Sequence, residues 1–160
     1  MQLNDFVIFG ESLIELSWNP EGHARQGFAG DVYSVSVYLK RSNPGARVRL
    51  LCAIGIDPLS DALAESLEAE GVDTSLMLRH PERHTGLYAI HNDSQGERSF
   101  IYWRSESAAR ETLKLLDADP ELAFPEAPAC FYLTGISLAI LDDNCRERLW
   151  PLLESMRARG

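Results

Sequence analysis

The chain has 160 residues, 45% of them hydrophobic, with 24 acidic against 15 basic side chains and a formal net charge of −9. That length suits one domain burying about two-thirds of its unfolded surface, and the hydrophobic share is that of an ordinary globular protein. The negative charge argues against a binder of nucleic-acid backbones, which long-range repulsion would hold off, but it leaves room for a small anion held by one or two local arginines.

The opening residues, MQLNDFVIFGE, lack the basic start and the cleavage site of a signal peptide. No apolar stretch approaches the roughly 18 residues that span a bilayer, so a reducing cytoplasm is the expected setting. FVIFG (6–10) is a short continuous apolar run, as expected of a strand buried on both faces. Residues 13–28 alternate with period two and are half polar. A helix is expected to start near Asp31 and to carry Val35, Tyr38 and Leu39 inward. VRLLCAIG (48–55) reads as a second buried strand. In DPLSDALAESLEAEG, Asp57 is placed to cap, Pro58 stands at the first helical position and Gly71 closes the helix. Leu59, Ala62, Leu63 and Leu67 form its expected stripe.

Residues 86–104 read as a hairpin around a turn at 93–97. That register sets Tyr88 opposite Tyr102 and Ile90 opposite Phe100, with Gly86 opposite Arg104. Alternation then puts Tyr88, Tyr102 and Arg104 on one face, and Leu87, Ile101 and Trp103 on the other. The sequon at Asn92 is read as part of the turn. PELAFPEAPA (120–129) is a proline-rich connection, ACFYLTG (129–135) a third buried strand. The last helix, capped by Asp142 or Asp143, aligns Cys145, Leu149, Leu152, Leu153 and Met156. Strands alternating with helices imply a parallel sheet; the two half-polar segments look like an antiparallel flap beside it.

Ligands of open parallel sheets bind beyond the carboxyl ends of the strands. GESLIE, GIDP and TGIS occupy such ends here, and FAGDVYS presents free amides at a helix start. Glu11 and Glu15 both lie by a strand end. There is no G-x-G-x-x-G, no P-loop and no Ser-His-Asp or Cys-His arrangement. The three cysteines, Cys52, Cys130 and Cys145, lack metal-ligand spacing; Cys52 and Cys130, in apolar runs, read as inert buried thiols. The four histidines read as surface residues. No catalytic, cofactor-binding or metal-ligating residue is assigned. Two phenols and a guanidinium beside a glycine make a surface that can pack on a small polyol and fork a carboxylate.

VIFGESLIEL, GFAGDVYSVSVYLKR, AIGIDPLSDALAESLEAEGVDTS, GERSFIYWR and YLTGISLAIL occur in the order seen in the ribokinase-like (PfkB) carbohydrate kinases, and the chain resembles that family over essentially its whole length. The combination GLY…GERSFIYWR…GISLAIL is most similar to the family's kinases of 2-keto-3-deoxygluconate. The resemblance implies a Rossmann-like α/β fold, with helices on both faces of a parallel sheet and a small antiparallel β-lid made by segments 13–28 and 86–104. It implies ATP-dependent phosphorylation of that sugar acid at its terminal hydroxyl, with ATP and Mg²⁺ in the complete kinase and neither held by this chain alone. Carried over, Gly30, Asp31 and Ser34 fall in the substrate motif and Tyr88 matches the lid tyrosine. Tyr102 and Arg104 match the pair facing the keto-acid, and Glu15 falls where many relatives place an acid on a sugar hydroxyl. Ala29 and Ser34 depart from the usual Gly and Asn.

Such kinases run to roughly twice this length, and the Gly-Ala-Gly-Asp motif that supplies their anion hole and proton acceptor is absent from the sequence. The expectation is therefore an N-terminal, sugar-binding half, whether a fragment or a truncated gene product. Its expected partner is a small sugar acid, not nucleic acid or membrane, and the lid offers a surface through which copies could pair. The alternatives are a non-catalytic sugar-binding or lid-pairing module, and a kinase of the same fold for fructose or a nucleoside.

Overall fold

The computed structural model describes residues 4–19, 21–93, 95–119, 122, 128 and 130–159. Its elements are β1 (Asp5–Phe9), β2 (Leu13–Trp18), β3 (Ala24–Ala29), α1 (Asp31–Ser42), β4 (Arg47–Ile54), α2 (Pro58–Ala69), β5 (Met77–Arg79), β6 (Leu87–Asn92), β7 (Arg98–Trp103), a 3-10 turn (Ala108–Glu111), α3 (Thr112–Ala118), β8 (Cys130–Leu133), α4 (Gly135–Ala139) and α5 (Asp143–Arg159). The three apolar runs become β1, β4 and β8. With β5 they form a parallel sheet of order β5-β4-β1-β8. Consecutive residues Val7, Ile8 and Phe9, and all of Val48 to Ile54, are buried, so both faces of the central strands are covered.

The helices follow their end signals. The Asp57 side chain accepts the N–H groups of Leu59 and Ser60, each at 3.1 Å, and Gly71 takes φ +78° beyond α2. The buried stripe of α2 is Ser60, Leu63, Ala64 and Leu67, with Ala62 half-buried and Leu59 40% exposed. Asp142 caps α5 by accepting the Cys145 N–H at 2.7 Å; Cys145, Leu149 and Met156 are buried and Leu152 and Leu153 half-buried. In α1 the expected inward face is turned. Val32, Ser36 and Val37 are buried, Val35 and Leu39 half-buried, and Tyr38 lies out in solvent beneath the Arg41 guanidinium, 5.5 Å from its ring centre.

The sequence carries no clear signal for the 3-10 turn and α3. A buried hydroxyl ties them to β4: Thr112 donates to the Ala109 carbonyl at 2.8 Å and accepts the Ala53 N–H at 2.9 Å. The thiols of Cys52 and Cys145 are buried, and Cys130 is half-buried. Burial pushes the Cys52 thiol up to about 12 and Cys145 to about 11, which keeps both protonated and unreactive.

The two half-polar segments make a separate four-stranded sheet of order β3-β2-β6-β7. Each hairpin, β2–β3 and β6–β7, is antiparallel, but they join through a parallel pair, Ile14↔Leu87 to Leu16↔Ala89. The flap is therefore mixed rather than antiparallel throughout. The reason lies in the chain path: β2 follows β1 and β6 follows β5, so both leading strands leave parallel strands of the main sheet in the same sense. The register of the second hairpin is as expected, Tyr88↔Tyr102 and Ile90↔Phe100. Its turn is closed by Asp93, whose Oδ1 accepts the N–H groups of Gln95 and Glu97 at 2.8 and 2.9 Å. Of the sequon, Ser94 lies outside the described residues, as does nearly all of the connection 120–129. Among the described residues no helix is long and apolar enough to cross a membrane.

Candidate functional site

A cleft of about 200 Å³ opens between the two sheets. From the main sheet it receives Glu11, which follows β1, then Gly30 and Asp31 at the start of α1, and Ile136 in α4. From the second sheet it receives Leu13, Tyr88, Phe100, Tyr102 and Arg104. Five of the residues expected from the sequence thus come together: Gly30, Asp31, Tyr88, Tyr102 and Arg104. Glu15 joins indirectly, because Tyr88 donates its hydroxyl hydrogen to the Glu15 carboxylate. Ser34 stands apart, exposed on the first turn of α1 and outside the cleft lining.

The α1 N-terminus can approach this closely because residue 30 is glycine. Gly30 takes φ +112°, and a Cβ there would sit 2.7 Å from the Glu11 carbonyl oxygen. Gly30, not Asp31, is the N-cap. Asp31 instead accepts the Val32 N–H at 2.8 Å through Oδ1 and the Thr134 hydroxyl through Oδ2. Thr134 is itself fixed by a capping box with Ser137, and the Ser137 hydroxyl donates to the Phe9 carbonyl at 2.8 Å. A chain of bonds from β1 through α4 therefore sets the Asp31 carboxylate.

Opposite stands an aromatic wall. Tyr88 lies 5.8 Å from Tyr102 and 6.1 Å from Phe100, and Phe100 stacks on Tyr102 at 6.3 Å and 19°. Phe100 and Tyr102 remain about half exposed, so their faces are free to pack on a ligand. Burial and the Glu15 carboxylate hold the Tyr88 phenol above its ordinary range, so it stays a proton donor. At the foot of this wall Arg104 forms an ion pair with Glu11, and its guanidinium lies 6.0 Å from the Tyr102 ring centre. Glu11 is only 2% exposed. Burial pushes its carboxyl above the usual range, against the opposing pull of the Ser107 hydroxyl and the Arg104 charge. Gly86 leaves room for the pair: a Cβ there would fall 2.5 Å from Glu11 Oε1 and 3.2 Å from the Arg104 Cβ.

Sequence reasoning left out Phe100, Thr134 and the role of Glu11. Phe100 was legible, since it lies two residues before Tyr102 on the same strand face. Nothing local separates Glu11 from Glu15, because only the fold buries one of them. His80, expected at the surface, is buried: its Nδ1 accepts the N–H groups of Glu82 and Arg83, and its Nε2 pairs with Glu111 at 3.0 Å. Among the described residues no group of three or more His, Cys, Asp or Glu is placed to hold a metal ion.

Taken as a whole, the chain is similar to known sugar kinases. The model of the family described as "pfkB family carbohydrate kinase" matches residues 3–160. A 2-dehydro-3-deoxygluconokinase of Escherichia coli (strain K12) is 42% identical over 159 residues, covering 96% of this chain and 50% of that protein. The crystal structure of a 2-dehydro-3-deoxygluconokinase from Thermotoga maritima superposes with a TM-score of 0.77 at 23% identity, covering 97% of this chain and 48% of that one. A fructokinase with bound ATP from Xylella fastidiosa gives a TM-score of 0.75 at 27% identity, covering 99% and 47%. The chain spans about half the length of the curated relatives it matches. Its α/β architecture is that of the ribokinase-like sugar kinases.

Proposed function

Because the chain belongs to the pfkB family of carbohydrate kinases, we propose that it carries the sugar-binding part of an ATP-dependent kinase for 2-keto-3-deoxygluconate. The observation that carries this reading is the presence, in one small cleft, of the Arg104 guanidinium, the Asp31 carboxylate and the aromatic wall of Tyr88, Phe100 and Tyr102. Arg104 would take the ligand carboxylate through a charge-assisted fork. Asp31, fixed by Thr134, would accept a sugar hydroxyl. Glu15 would act through Tyr88, and the rings would pack on the carbon chain. Ser34, exposed and outside the cleft lining, is left with at most a water-mediated part in this reading. Relatives named 2-dehydro-3-deoxygluconokinase at 36–42% identity support the choice of sugar.

In this reading the second sheet is the lid, segments 13–28 and 86–104, over the N-terminal part of a kinase domain. ATP and Mg²⁺ belong to the complete kinase. Transfer itself depends on positioning and charge around the phosphates. What this chain contributes is orientation of the sugar acid and exclusion of water above it. A cytoplasmic setting suits both the substrate and three unpaired thiols. The outer face of the lid, with Trp18, Ile101 and Trp103 each 47–57% exposed, is proposed as a surface for pairing of two copies.

Titration calorimetry of the chain with 2-keto-3-deoxygluconate and with fructose tests the reading. Binding of the keto-acid at least tenfold tighter than fructose is the expected result. Equal affinity for the two would favour a neutral-sugar kinase, and binding of neither would sink the cleft as a sugar site.

A further inference from the structure

We propose that Glu11 is a positioning residue, whose buried carboxylate holds one nitrogen of the Arg104 guanidinium so that the others face the cleft. The consequence for affinity rests on the sugar-acid reading above, but the positioning does not.

The two partners are built differently. Glu11 is anchored to the rigid part of the molecule: it follows β1, its neighbour Gly10 donates to the Leu51 carbonyl at 3.3 Å, and both Glu11 and Ser12 are buried to within 2%. Arg104 lies just past β7, at the foot of a hairpin whose strand residues 98–103 are all exposed. Its Nη2 meets Glu11 Oε2. The contact is an ion pair through Nη2 alone, with neither Glu11 oxygen accepting an aligned hydrogen bond among the described residues, and a quarter of the Arg104 side chain remains exposed. A pair serving only as glue between two sheets would close both ends. Here only Nη2 meets the carboxylate, and Arg104 lines the cleft together with Asp31 and Tyr102.

The surroundings leave Arg104 few alternatives. Gly86 backs the pair so closely that even a methyl group there would collide with Glu11 Oε1 at 2.5 Å. Tyr102 covers one side of the guanidinium. A guanidinium presents five N–H groups in a fixed plane. Holding one edge on a buried carboxylate therefore also sets the direction of the remaining edge. Without that hold a long side chain at a hairpin foot samples several rotamers, and ordering it on binding costs roughly two- to tenfold in affinity.

The experiment combines a readout that needs no ligand with one that does. The arginine side-chain N–H signals of the 160-residue chain are recorded by NMR, with the Arg104 signal assigned by its loss in Arg104→Lys. A slowly exchanging Arg104 signal is expected in the unaltered chain and in Glu11→Gln, whose amide oxygen still accepts. It is expected to be lost in Glu11→Leu. Should the leucine variant fail to melt cooperatively, Glu11→Asp, shorter by one methylene, is expected to lose the signal in its place. A signal absent from the unaltered chain, or persisting in the leucine or aspartate variant, overturns the proposal whatever the chain binds.

Calorimetry then follows affinity. Keto-acid binding is expected to weaken two- to tenfold in Glu11→Leu and to hold within twofold in Glu11→Gln, with fructose unaffected in both. Unchanged or tighter keto-acid binding in Glu11→Leu would mean that Glu11 competes for Arg104 instead of aiming it, and overturns the proposal. If the signals behave as expected but the unaltered chain binds no keto-acid, the sugar-acid reading falls and the positioning stands.

Discussion

In the proposed function, Arg104 is the residue on which the choice of ligand turns. A hydrogen bond to a charged group contributes about 1.5–3 kcal/mol, so Arg104→Ala is expected to weaken keto-acid binding roughly ten- to a hundredfold and to leave fructose nearly unchanged. Arg104→Lys keeps the charge without the fork and is expected to recover only part; calorimetry with both ligands measures the split. Its neighbour Gly86 carries a steric duty. Gly86→Ala forces a methyl group against Glu11 and Leu13 at 2.5 and 2.7 Å, and overpacking of this kind costs about 1–3 kcal/mol, to be read from a denaturant midpoint. Glu11 also leaves a mark on pH. Its folded pKa is raised above the ordinary 4.5, so the native state holds the proton more tightly than the unfolded chain does. That contribution is fully present below the ordinary value and is lost as pH rises through the raised one. The melting temperature of the unaltered chain minus that of Glu11→Gln is therefore expected to fall as pH rises from about 4 to about 8. A difference that grows with pH would contradict the assigned direction.

At the scale of elements, the hairpin β6–β7 shows what a sequence discloses and what it hides. Alternation around the turn at 93–97 was enough to set the partners Tyr88↔Tyr102 and Ile90↔Phe100. Asp93→Ala removes two acceptor contacts, at 2.8 and 2.9 Å, and is expected to cost about 1 kcal/mol and to speed amide exchange along both strands while β4 stays protected. The ends of α2 and α5 were legible for the same reason: Asp57 and Asp142 act on backbone groups two or three residues away. Features that depend on distant partners were not legible. The turn of α1 that exposes Tyr38 is set by packing on β4 and β1. The helical segment 108–118 has no pattern of its own and is secured by Thr112 reaching Ala53 across 59 residues. Glu11 and Glu15 look alike in one dimension and differ by burial, so Arg104 could be read from the sequence and its buried partner could not.

At the scale of the whole molecule, the proposed division of labour predicts no turnover. With keto-acid, ATP and Mg²⁺, ADP release by the purified chain is expected to match a no-protein blank in a coupled assay, since general-base help alone is worth about 10²–10⁴ in rate. Keto-acid-dependent ADP above that blank would overturn the half-kinase reading. The exposed outer face of the second sheet predicts a sedimentation coefficient that rises with concentration, and a return to monomer in Trp103→Glu; a monomer at all concentrations would remove the pairing proposal. The parallel junction of β2 with β6 has another consequence, for the order of assembly. It joins positions 73 residues apart, as the Glu15–Tyr88 bond does, and each hairpin can form early while their union cannot. Closing so long a stretch is slow unless β1 and β4 have already met. The cleft is thus completed late in refolding, and a chymotrypsin pulse during refolding is expected to cut at Phe100 to Trp103 well after the main sheet has become resistant.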